Sequence, residues 1–224
     1  MIKETPAFNV KDCALVAIAT GKKAHNLREL KDIIQNIDQG SIYYHFWGML
    51  LKPRFMDSEY NNEFALWVKS SLHDSILAER LSVVDPTDFG LLDELRNELV
   101  DTIQERLDED EWINFVRPQN KFHFKKSHIV VFDTNIALKD PSKFSEVIKE
   151  MSTSSIFYHF IDARRRTKDN VDDFRQWLMG LDGKYNPICD KISSLDPYFV
   201  SLNTLKEQLV NIFDDFFKGG KINE

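Results

Sequence analysis

The hexapeptide Ser-Ile-Tyr-Tyr-His-Phe at residues 41–46 returns at 155–160 as Ser-Ile-Phe-Tyr-His-Phe, and this recurrence constrains the fold more than any other feature. Sliding the chain along itself by 114 positions lays residues 8–46 on 122–160 without a gap. Phe8, Lys11, Val16, Thr20 and Ile34 meet identical residues at 122, 125, 130, 134 and 148, as do Ser41, Ile42, Tyr44, His45 and Phe46. Past the hexapeptide the offset falls to 110, pairing Phe64 with Phe174 and Trp67 with Trp177. Asp85-Pro86 then meets Asp196-Pro197, and Leu92, Leu95, Leu99 and Val100 meet Leu202, Leu205, Leu209 and Val210. The expected organisation is copy one over 1–108, a linker over 109–121 and copy two over 122–224.

Within each copy the local signals agree. Phe8-Asn-Val-Lys11 and Phe122-His-Phe-Lys125 alternate apolar and polar residues, the mark of a short strand. The next stretch is ambiguous at Cys13 to Thr20, whereas Ile129-Val-Val-Phe132 is β-branched and aromatic and favours a strand. Gly21 and Asn135, each following the shared Thr, suit a left-handed turn. Asn26-Leu-Arg-Glu29 has the form of a capping box, and Asp140-Pro141 sets a capping acid before a proline at a first helical position. Apolar residues at 30, 33, 34 and 37, and at 144, 147, 148 and 151, follow helical spacing. Ser41 and Ser155 are placed to cap the helices after these. Further helices are expected around 64–72, 77–83, 91–107, 174–180, 188–193 and 202–217. Trp67 and Trp177 read as core anchors. The stretch from Asp108 to Asn120 is acidic at its start, carries Pro118 and has no counterpart, so it reads as the linker. The fold class expected is mainly α, or α+β with a few short strands: a tandem duplication of a helical unit in a pseudo-twofold arrangement.

Composition narrows the function classes. Hydrophobic residues at 42% and charged residues at 29% fit an ordinary globular chain. The charge sum, 29 − 36 = −7, repels phosphate backbones, and Arg164-Arg165-Arg166 is the only dense basic cluster. Nucleic acid is therefore not expected as a partner. Cys13 and Cys189 form no disulfide framework or zinc motif, and no apolar run is long enough for a membrane span. A cytoplasmic protein without metal or cofactor is expected, its oligomeric state open. P-loop, dinucleotide, zincin and nucleophile-elbow motifs are missing from the sequence, which argues against an enzyme.

A helical hexapeptide sets Ser41, Tyr44, His45 and Gly48 on one face, and in copy two Ser155, Tyr158, His159 and Asp162, with Arg165 and Arg166 one turn on. Two readings follow. Those polar groups could hold an anion through Arg165, Arg166, Ser155, Ser41, Tyr44 and His45, or move protons through His159 with Tyr158 and Asp162. The stronger reading is that they are buried polar groups, hydrogen-bonded across the interface between the copies. Copy one has Met49, Leu50 and Leu51 where copy two has its arginines, and offers Lys52 and Arg54 instead. The arginines could also simply pair with Asp169, Asp172 or Asp173 on a solvated face. The leading expectation is a regulatory or accessory module binding a small anionic ligand or a protein partner; the alternative is an enzyme acting on a small anionic substrate with His159 as general acid and base.

Ser41-Ile-Tyr-Tyr-His-Phe-Trp-Gly48 and Ser155-Ile-Phe-Tyr-His-Phe-Ile-Asp-Ala-Arg-Arg-Arg166 carry a resemblance, supported by Leu77-Ala-Glu-Arg-Leu81, Val130-Val-Phe-Asp-Thr134 and Asp196-Pro-Tyr198. With these the chain resembles a bacterial and archaeal two-copy protein family of unknown function, over residues 8–217. The resemblance implies a two-copy cytosolic protein and brings no assigned activity or catalytic residues.

Overall fold

The computed structural model describes residues 6–51, 60–167, 169–181 and 183–219. Two strands of 17 residues each, β1 (Phe8–Ala24) and β2 (Phe122–Leu138), pair into an antiparallel two-stranded sheet. Between them lie α1 (Leu27–Asn36), α2 (Gln39–Trp47), α3 (Glu63–Trp67, running on as a π turn over Val68–Leu72), α4 (Ser75–Ser82) and α5 (Leu92–Glu109). After β2 come α6 (Phe144–Glu150), α7 (Thr153–Ile156, continuing as a π segment over Phe157–Asp162) and α8 (Ala163–Arg166). The chain closes with α9 (Asp173–Met179), α10 (Asn186–Ser193) and α11 (Leu202–Lys218).

The chain forms two compact units, and both strands contribute to each. The first holds residues 1–14 and 130–224; the second holds 15–129. The entry of β1 therefore lies in one unit with α6–α11, and the entry of β2 in the other with α1–α5. In the second unit α1 packs along α5, and Leu30, Ile34, Ile42, Phe46, Leu95 and Leu99 are fully buried. In the first, α6 packs along α11 around Phe144, Ile148, Phe160, Phe174, Leu205 and Phe213. Burial of this order contributes about 1.5–3 kcal/mol for each large apolar side chain.

Phe8 and Phe122 show how the strand entries are held. Phe8 stacks on Phe174 (centroids 5.4 Å, 15°) and meets Trp177 edge-on. Phe122 stacks on Phe64 (5.2 Å, 19°) and meets Trp67 edge-on. Each indole N–H donates to the chain just ahead of its strand: Trp177 to the Pro6 carbonyl at 2.6 Å, Trp67 to that of Asn120 at 2.7 Å. Trp67 is buried and Trp177 half-buried.

These strands overturn the expected fold class. The molecule is α+β with two long strands, not a mainly helical one with a few short strands. Nor is a purely helical unit repeated in a pseudo-twofold arrangement, since each compact unit is completed by segments of both strands. The physical reason lies in residues 14–23 and 128–137, which are exposed or half-exposed throughout. A ribbon solvated on both faces carries no apolar–polar alternation, so the signal stops after its buried entry. Gly21 (φ 78°) and Asn135 (φ 59°) do adopt left-handed backbone, but inside the strands and not at turns. Left-handed residues within strands are typical of bulges. Thr20 and Thr134 precede them and donate across the ladder to the carbonyls of Phe124 (2.8 Å) and Val10 (2.6 Å).

Helix starts follow the sequence more closely. The Asn26 side chain accepts from the Glu29 amide at 2.8 Å, and that of Asp140 from the Ser142 amide at 3.0 Å. Ser41 and Ser155, however, cap nothing. Asp38 caps α2 and Ser152 caps α7, which frees both hydroxyls for another task.

Candidate functional site

In an extended strand, the N–H and C=O of one residue point to the same edge, and an edge without a neighbouring strand leaves both unpaired. A serine and a histidine four residues apart on a helix lie one turn apart on one face, so together they can satisfy such a residue. Both hexapeptides do this. Ser155 Oγ donates to the Lys11 carbonyl at 2.6 Å, while His159 Nε2 accepts the Lys11 N–H at 2.8 Å. Ser41 Oγ donates to the Lys125 carbonyl at 2.6 Å, and His45 Nε2 accepts the Lys125 N–H at 3.1 Å.

The second nitrogen of each ring is also engaged: His159 Nδ1 lies 2.8 Å from Asp173 Oδ2, and His45 Nδ1 lies 2.7 Å from Glu63 Oε2. Because Nε2 must accept, the proton sits on Nδ1 and is donated to the carboxylate; the surrounding hydrogen bonds assign this tautomer. Both imidazoles are buried, His45 at 0% exposure and His159 at 3%, among aromatic rings. Every polar atom of these rings is used. The helical face expected to carry an open site is instead packed, since Ser41 through Trp47 are all buried.

Arg164, Arg165 and Arg166 form a second network. Asp162, 2% exposed, receives Arg165 at 2.8 Å and Arg166 Nε at 2.9 Å. Arg166 also reaches Asp173 Oδ2 at 3.0 Å and the Tyr158 carbonyl at 2.9 Å, with its guanidinium 3.9 Å from the centre of the Tyr158 ring. Arg164 lies 4.9 Å over the Phe160 ring. Burial pushes the Tyr158 hydroxyl above its ordinary pKa, against the pull of Arg166. Burial first, then the charge of Asp12, pushes the Cys13 thiol up to about 12, and the thiol donates to the Ser154 carbonyl. Arg165 and Arg166 thus hold the protein's own carboxylate. Tyr44 is buried with Lys125 Nζ 5.9 Å from its ring centre, and Lys52 and Arg54 lie outside the described residues.

A different place combines open space with cationic side chains. His25, Asn26, Phe115, Val116, Arg117, Pro118 and Lys121 line a cleft of about 510 Å³ in the second unit. The size lies within the range of ligand pockets. Arg117 and Lys121 are exposed, and neither meets a carboxylate among the described residues. His25 pairs through Nδ1 with Glu29 at 2.8 Å, which holds the Glu29 carboxyl below its usual range. The chain between the lining residues Pro118 and Lys121 is anchored: the Gln119 amide donates to the Ser71 carbonyl at 3.0 Å, and the Asn120 carbonyl receives the Trp67 indole N–H. Trp112 and Phe115 stand 80% and 76% exposed with ring centroids 6.3 Å apart. The sequence hides this place, because its cations are scattered and follow the acidic start of the segment. The change at Phe115-Val-Arg-Pro118 from acidic to apolar and basic was the available signal.

Among the described residues, no three His, Cys, Asp or Glu side chains converge as a metal-binding group, and no helix is long and apolar enough to cross a membrane.

Fold and clamps together define a class: an α+β protein whose two-stranded ribbon enters two helical bodies, each gripping one strand residue by a Ser/His pair. The chain belongs to a family of unknown function (DUF5752), whose family model matches residues 5–214. It is similar to the solved structure of OrfY from Thermoproteus tenax, with 25% sequence identity and a TM-score of 0.81 over 95% of this chain and 96% of that one. No curated protein matches it.

Proposed function

We propose that this protein is a non-catalytic binding module whose ligand surface is the basic, aromatic-edged cleft of residues 25–26 and 115–121. One observation carries this reading: Arg117 and Lys121 line an open cleft with no acidic partner among the described residues. Cations left unpaired beside apolar walls attract anions more strongly than the same charges spread over a solvated surface. The arginines of copy two give no comparable support, since Asp162 and Asp173 already hold them. The enzymatic alternative gains nothing from His159, whose two ring nitrogens are both occupied in a buried setting.

Calorimetric titration of the full chain with pyrophosphate at low salt tests the proposal. Binding is expected, and Arg117→Ala combined with Lys121→Ala should weaken it at least tenfold, or about 1.4 kcal/mol. Arg165→Ala should leave it unchanged. Equal affinity in the double variant, or no binding to any anion, would overturn the reading.

A further inference from the structure

We infer that the cleft takes a planar ring bearing phosphoryl groups, the class to which nucleoside phosphates belong; this rests on the anion-binding reading above. Two features of the lining have to be satisfied at once. Arg117 and Lys121 call for negative charge, and His25, whose Nε2 has no partner among the described residues, offers a further polar contact. Phe115, Val116 and Pro118 call for an apolar surface, and Phe115 is 76% exposed. An inorganic anion would leave the aromatic ring uncovered, while a neutral aromatic compound would displace water from the cations without answering their charge. A stacked ring that carries phosphate meets both demands, because an aromatic side chain accepts any planar base on its face and a guanidinium matches phosphoryl oxygens in two-point geometry.

The surroundings also limit ligand size. The chain carries a net charge of −7, so a long polyanion would be repelled beyond the few local cations. Trp112, 6.3 Å from Phe115 and tilted by 56°, extends the aromatic surface beside the cleft and provides a native reporter. The part of the wall between Pro118 and Lys121 is held before any ligand arrives, by the Gln119–Ser71 and Trp67–Asn120 hydrogen bonds. A preset wall lowers the ordering cost of binding.

The experiment is equilibrium binding to the full chain by calorimetry and by tryptophan fluorescence, with Trp112→Phe to assign the optical signal. The probes are adenosine, guanosine and uridine diphosphates, adenosine and pyrophosphate. The diphosphates should bind at least tenfold more tightly than adenosine or pyrophosphate. Phe115→Ala should bring the diphosphates to the level of pyrophosphate without changing pyrophosphate itself, and Arg117→Ala with Lys121→Ala should bring them to the level of adenosine. Pyrophosphate binding as tightly as the diphosphates, or an unchanged diphosphate affinity in Phe115→Ala, would overturn the ligand class while leaving the anion cleft standing. Absence of binding by every phosphorylated probe would overturn both. Phe115 is exposed, so its replacement leaves the fold intact, and circular dichroism verifies this.

Discussion

Replacing His159 with leucine is the sharpest test of how the strand entry is held. Leucine fills much of the imidazole's space but accepts no hydrogen bond, so the Lys11 N–H loses its 2.8 Å partner. Leaving one buried donor unsatisfied costs about 1–3 kcal/mol. Asp173 loses the ring N–H but keeps Arg166 at 3.0 Å, which limits the further loss. A total near 2–3 kcal/mol is therefore expected for His159→Leu, and about 1 kcal/mol for Ser155→Ala, which removes only the donor to the Lys11 carbonyl. Both changes act on one backbone residue, so the double variant should fall short of the sum by roughly 0.5–1 kcal/mol. Urea unfolding followed by circular dichroism and tryptophan fluorescence gives these values, provided the two transitions coincide. Hydrogen exchange at the Lys11 amide localises the effect, and exchange there should quicken in both variants. If both lose under about 0.5 kcal/mol with Lys11 protection unchanged, the hexapeptide does not clamp the strand.

Gly21→Val should destabilise by about 1–2 kcal/mol, because a β-branched residue is forced into left-handed backbone, whereas Asn135→Gly should be neutral within a few tenths; thermal unfolding distinguishes them. Asp214 is held well below the ordinary carboxylate range, chiefly by its contact with Lys218 and then by Ser145 and Lys149. A depressed folded-state pKa means its stabilisation is complete above about pH 4 and fades as pH falls below that, so Asp214→Asn should flatten stability against pH on the acid side. An unaltered acid limb in urea titrations would refute this.

The helices were legible because their signals are local. Asn26 caps α1 and the 202–217 periodicity became α11, since a cap and an amphipathic stripe need only neighbouring residues. The recurrence of Ser and His in both hexapeptides was legible as well, but its purpose was not. The partner of His159 is Lys11, 148 positions away, and that of His45 is Lys125. Phe8-Asn-Val-Lys11 and Phe122-His-Phe-Lys125 are so alike that periodicity does not say which helices receive which strand. Ribbon length was hidden for another reason: residues exposed on both faces are free of the alternation that burial imposes. At the candidate site, the Arg164–Arg166 run stands out in the sequence through density alone, whereas Arg117 and Lys121 gain their interest from lining a cleft with no ion-pair partner among the described residues, which only three-dimensional placement reveals.

The placement of residues 1–14 with 130–224 has a consequence for synthesis on the ribosome. Phe8 is made well before its stacking partner Phe174, and Lys11 well before His159, which clamps it. At translation rates of about 5–20 residues per second, the N-terminal strand waits roughly 10–30 s for the helices that will receive it. The 15–129 unit, continuous in sequence, can close meanwhile around Phe122 and Lys125. Order of manufacture and order of assembly are therefore inverted for the entry of β1: it is made before residues 15–129 and finds its place after them.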